Sequence, residues 1–61
     1  MKREIWTKER VKGWVQAEHK TWQDVIDDGW KFIGMTEGGE ILMTRNGYIN
    51  EWEQRFVEDT L

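Results

Sequence analysis

The chain has 61 residues with five tryptophans, one histidine, no cysteine and no proline, and carries a net charge of −3. A chain this short is one domain, residues 1–61, and buries only about 60% of the surface its unfolded form exposes. The absence of cysteine rules out disulfides and, with a single histidine, a structural zinc site, so a small aromatic core must carry stability alone. The charge is unevenly placed: residues 1–20 hold six basic and three acidic residues, whereas residues 21–61 hold three basic and nine acidic ones.

Taken in chain order, the first predicted element is a helix from Lys8. Thr7 stands at its N-cap, and Val11, Trp14, Val15 and Glu18 follow at the i, i+3, i+4, i+7 spacing of one helical face. Gly13 weakens this helix by roughly 1 kcal/mol relative to alanine. Trp6, just before it, is placed to staple the helix by packing on Val11.

"TWQDVIDDG" predicts a second, short helix. Thr21 and Asp24 form a capping box with Asp in place of the usual Glu or Gln, Trp22, Val25 and Ile26 share a face, and Gly29 supplies a left-handed stop. Asp27 and Asp28 oppose the helix dipole in the last turn, which invites a functional reading of both.

"WKFIGMT" and "EILMTR" flank "EGG" and predict a β-hairpin, with "NG" after Arg45 marking a second turn or the strand's end. The final segment has two readings. As a strand, "YINEWE" puts Tyr48, Asn50 and Trp52 on one face; as a helix capped by Asn50, it lines up Trp52, Phe56 and Thr60 at spacing four. The N-cap and acidic first turn favour the helix. The expected fold class is α+β: two N-terminal helices, a β-hairpin and a C-terminal helix, with a third antiparallel strand as the alternative ending. On that plan Trp14, Trp22 and Trp52 build the core, and Trp30 and Tyr48 are the exposed aromatics.

Catalytic chemistry finds no foothold. The chain has no Ser and no Cys, and His19, between Glu18 and Lys20 near a helix end, reads as an exposed or capping residue. No phosphate loop is present, since Gly38 and Gly39 lie between two glutamates. Asp24, Asp28 and Gly29 fit the start of a calcium loop, but Ile26 and Met35 occupy ligand positions. No enzyme activity, cofactor or metal is expected.

Binding remains. The leading expectation is a non-enzymatic module that regulates or inhibits a larger protein with a basic site, using Asp24, Asp27, Asp28, Trp30, Glu37, Glu40 and Tyr48, charges for steering and aromatics for anchoring. The alternative is a nucleic-acid-binding accessory protein, winged-helix-like or single-strand binding, whose cations and stacking rings come from Lys2, Arg3, Trp6, Lys8, Arg10 and Lys12. Self-association through surplus aromatics is the third. With no apolar run long enough for a leader or a membrane span, a soluble cytoplasmic location is expected. In being tiny, tryptophan-rich, acidic and without catalytic groups, the chain resembles the small accessory proteins of bacteriophages and other mobile elements, many of which bind and inhibit a host protein.

Overall fold

The computed structural model describes residues 1–9 and 13–58. Five strands and one helix follow in the order β1 (Lys2–Glu9), β2 (Gly13–Gln16), α1 (Trp22–Asp27), β3 (Lys31–Met35), β4 (Ile41–Arg45) and β5 (Tyr48–Val57). The strands form a single antiparallel sheet in the order β2-β1-β5-β4-β3. The expected helices at the N- and C-terminal ends are therefore corrected to strands, and of the three expected helices only the short one over Trp22–Asp27 is present.

Both corrections have local physical causes. In β1, Ile5 and Thr7 alternate with Trp6 and Lys8, the period of a strand. Gly13 adopts φ +82°, which a helix interior forbids, so the stripe from Val11 to Glu18 cannot be continuous. In β5, the spacing from Trp52 to Phe56 is a multiple of two as well as four; the inward row is Tyr48, Asn50, Trp52, Gln54 and Phe56. The turn before it decides the matter: Asn46 (φ 51°) and Gly47 (φ 81°) both take the left-handed conformation of a two-residue type I′ hairpin, which sends the chain straight back along β4. β5 then runs up the middle of the sheet, paired to β4 on one side and β1 on the other, and a helix there would split the sheet into two separate hairpins, β1–β2 and β3–β4.

The second hairpin turn also follows its sequence. The Gly39 N–H donates to the Thr36 carbonyl (3.1 Å) and the Thr36 N–H to the Glu40 carbonyl (2.9 Å), with Gly39 at φ +90°. A β-bulge interrupts β3 between Phe32 and Gly34.

The connection from β2 to β3 passes from one sheet edge to the other and carries α1 across a single face. Thr21 caps it as the sequence predicts: its hydroxyl accepts from the Asp24 N–H, and the Asp24 carboxylate accepts from the N–H groups of Thr21 and Lys20, each at 3.2 Å. Val25 is fully buried beneath the helix and joins Ile5, Trp30, Met43 and Trp52 in the core, with Ala17, Trp22 and Ile41 packed around them. Ile26, expected on the same face as Val25, is exposed, because α1 is too short to bury more than a narrow stripe.

Trp52 is the hub of this core. The rings of Trp30, Trp22 and His19 meet it edge-on, with centroids 5.4, 6.1 and 5.8 Å away, the arrangement that brings the positive edge of one ring to the negative face of another. Trp14, expected in the core, lies instead on the open face of the sheet, since its register partner is Lys8 and that row points away from α1.

Candidate protein-binding surface

The expected acidic, aromatic surface divides into parts with different roles. Asp24 is committed to the capping box. Asp28 accepts from the Arg45 guanidinium, which also donates to the Asp28 carbonyl (3.3 Å), while His19 Nε2 lies 3.1 Å from the same carboxylate. The helix C-terminus thus receives from β4 the cation that its own last turn lacks. Asp28, awkward in the sequence, is a fastening between helix and sheet.

The same guanidinium stacks over the Trp30 ring, 4.8 Å from its centroid. Trp30 is only 8% exposed, so the expectation of an exposed anchor at this position is corrected. It follows a helix-ending glycine, as the sequence shows, but the Trp30 N–H bonds back to the Val25 carbonyl and turns the ring inward.

Glu37 and Glu40 sit at the opposite end of β3 and β4 from Asp28, so they do not form one patch with it. Glu40 folds onto the turn: its carboxylate accepts from the Thr36 hydroxyl, and its N–H donates back to that oxygen at 3.1 Å. The Thr36 hydroxyl, helped by Glu40's own backbone N–H, holds this carboxyl below its ordinary value of 4.5. Because the folded value is the lower one, the contact stabilises the turn above the ordinary carboxylate range and is lost as pH falls through the lowered value. Thr36→Val is expected to raise the Glu40 pKa toward 4.5 in a carboxyl-carbon NMR titration.

What remains available is the end of the sheet that holds the β4–β5 turn. β1 pairs with β5 only as far as Trp52, so Tyr48 to Glu51 extend past the paired part of β1. Tyr48 at this tip is 71% exposed and Ile49 is 62% exposed, on opposite faces. An open groove of about 770 Å³ runs beside them, lined among others by Leu42, Asn50 and Thr7 and crossed by the Lys8–Glu51 ion pair (3.4 Å). Arg45, the register partner of Tyr48, ties the same end to Asp28. Asp27 is exposed beside Asp28, its carboxylate accepting only from Gln23 at 2.9 Å among the described residues. Tyr48 was legible as an aromatic beside a turn; Ile49 and the groove depend on the pairing of β5 with strands distant in sequence, which no local signal encodes.

The residues of the nucleic-acid alternative separate. Lys2, Trp6 and Lys8 occupy the open face, Arg3 the helix side, where it stacks on Phe56 at 4.7 Å, and Arg10 and Lys12 lie outside the described residues. On the open face the Arg55 guanidinium lies between Trp6 (4.8 Å) and Trp14 (5.8 Å), with Glu53 at 3.4 Å. The expected packing of Trp6 on Val11 also involves a residue outside those described.

Among the described residues no group of three or more His, Asp or Glu side chains is placed to hold a metal, and no helix is long and apolar enough to cross a membrane. No protein-family model, no curated protein and no solved structure matches the chain.

Proposed function

We propose that this is a non-enzymatic, cytoplasmic protein-binding module, a small regulator or inhibitor of a larger protein, that engages its partner with the β4–β5 hairpin. The observation that carries the reading is Tyr48, a tyrosine 71% exposed at the start of β5, directly after a two-residue turn and beside an open groove. Tyrosine in such a place offers a large contact area at little entropic cost and is enriched among interface hot spots. The balance of apolar surface supports it: among the described residues eight large apolar side chains are exposed and five are buried. Asp27 and the net negative charge favour a partner with a basic site and faster encounter with it.

The test is affinity capture from lysate with the tagged wild-type domain and with a Tyr48→Ala/Asp27→Lys variant, each with and without nuclease. A single stoichiometric, nuclease-resistant protein should be retained by the wild type and lost about tenfold or more by the variant, with circular dichroism unchanged. Equal retention by both would remove the hairpin tip from the interface.

Nucleic-acid binding through the N-terminal segment is the second reading, supported by the grouping of half-buried Trp6 and Trp14 with exposed Lys8 on the open face. Glu4, Glu51 and Glu53 share that face and offset its cations. A capture that disappears with nuclease and weakens steeply with salt would favour it.

A further inference from the structure

Asparagine or aspartate precedes glycine at Asp28-Gly29 and at Asn46-Gly47. In such a pair the glycine nitrogen can reach the side-chain carbonyl carbon of the residue before it, because glycine has no Cβ to obstruct the approach. The structure treats the two pairs oppositely. At Asp28-Gly29 both reacting groups are engaged: the Gly29 N–H donates to the Ile26 carbonyl (3.0 Å), and the Asp28 carboxylate is held by Arg45 and His19. At Asn46-Gly47 both residues are exposed, and neither the Gly47 N–H nor the Asn46 side-chain amide forms a hydrogen bond among the described residues. No atom lies within 4 Å of where a Cβ of Gly47 would stand, so there is room for a ring to close. An uncharged amide is also a better target for a nucleophile than a carboxylate.

We propose that Asn46 is a site of spontaneous intramolecular deamidation, which converts the Asn46-Gly47 turn to isoaspartate and aspartate forms. The Gly47 nitrogen gives its proton to water and bonds to Asn46 Cγ; the amide nitrogen takes a proton and leaves as ammonia, giving a cyclic imide. A water then breaks the ring at either carbonyl. Cleavage at Cγ gives aspartate; cleavage at the main-chain carbonyl gives isoaspartate, whose chain runs through Cγ. The sum is amide plus water giving carboxylate plus ammonium, with nothing oxidised or reduced.

Ring closure takes Asn46 out of its left-handed conformation (φ 51°), so it proceeds when the turn opens, and hairpin ends open at low cost. Isoaspartate lengthens the main chain by a methylene group, which the two-residue type I′ turn does not accommodate. The closing pair Arg45 and Tyr48 then loses its register. The modification itself is independent of the protein-binding reading. Its consequence, that the aged domain releases its partner, rests on that reading.

The experiment incubates the folded wild type and Asn46→Gly, whose Gly-Gly turn keeps the type I′ geometry, in mildly alkaline buffer. Peptide mass spectrometry reads the exchange of amide for acid, and an isoaspartate-specific methyltransferase labels the product. The wild type should lose the Asn46 amide progressively and take up label at that position. Asn50, half-buried in β5 and followed by Glu51, should keep its amide, Asp28 should stay unlabelled, and Asn46→Gly should show neither change. An Asn46 that stays intact long after a free Arg-Asn-Gly-Tyr peptide has converted completely overturns the proposal. So does acid at position 46 without isoaspartate, which would mean direct hydrolysis and no ring. Partner capture with fresh and aged protein is scored separately: a domain that captures nothing when fresh but still converts at Asn46 refutes the binding reading and leaves the modification standing.

Discussion

Trp52→Ala is expected to abolish cooperative folding at 25 °C. The side chain is 2% exposed and meets three other rings, so the loss combines the transfer term with a cavity that the sheet's own hydrogen bonds keep from collapsing. Substitutions of this kind cost about 3–5 kcal/mol, and each lost edge-to-face contact adds roughly 0.5–1.5 kcal/mol. A domain of this size has about 5 kcal/mol in hand. Trp52→Phe should be much milder. It keeps a ring at the hub, and it removes an indole N–H that is buried without a hydrogen-bond partner among the described residues. Urea titration followed by tryptophan fluorescence and circular dichroism checks both: no transition for the alanine variant, and a lowered but cooperative midpoint for the phenylalanine variant.

The second large effect is expected in α1, where two adjacent residues should behave oppositely. Val25 is fully buried and Ile26 is 55% exposed. Val25→Asp puts a carboxylate into an apolar core that offers it no cation, a change that costs several kcal/mol whether the group ionises or shifts its pKa and protonates. It should leave the protein unfolded. Ile26→Asp should change stability by no more than about 0.5 kcal/mol, as surface substitutions usually do. Chemical denaturation of the pair fixes how the helix is seated; similar losses for both would mean that α1 packs on a different face.

The parts of the fold that were legible in the sequence are those whose signal is local. The capping box at Thr21 and Asp24, the stop at Gly29 and the turns at Gly38-Gly39 and Asn46-Gly47 each place a particular side chain or backbone angle where the chain requires it. The parts that were not legible depend on partners distant in sequence. Lys2–Glu9 and Tyr48–Val57 become strands because they pair with each other, and the period-four reading of Trp52 and Phe56 gives way to period two only once that pairing exists. The site followed the same division. Tyr48 was visible from its turn. Trp30 was misplaced because its cover, Arg45, comes from a strand fifteen residues on, and Asp28 seemed free for a partner because both Arg45 and His19 reach it from other elements.

That last correction narrows the proposed binding surface. Of the seven residues expected to bind protein, Asp24, Asp28, Trp30 and Glu40 have structural partners that account for them, Glu37 lies at the far end of the sheet, and Tyr48 and Asp27 remain together with the newly exposed Ile49. The hairpin tip is compact, set on a two-residue turn and joined to the core through Arg45, features that pre-organise a binding element and lower the cost of association.

The most direct test of this account is site-specific photo-crosslinking in cells, with the reactive side chain placed at Tyr48 in one variant and at Gln16, exposed on the opposite face, in another. If the β4–β5 hairpin binds a protein partner, a discrete protein adduct forms from position 48 and none from position 16. An adduct from position 16 alone, or nucleic acid joined at either position, would contradict it.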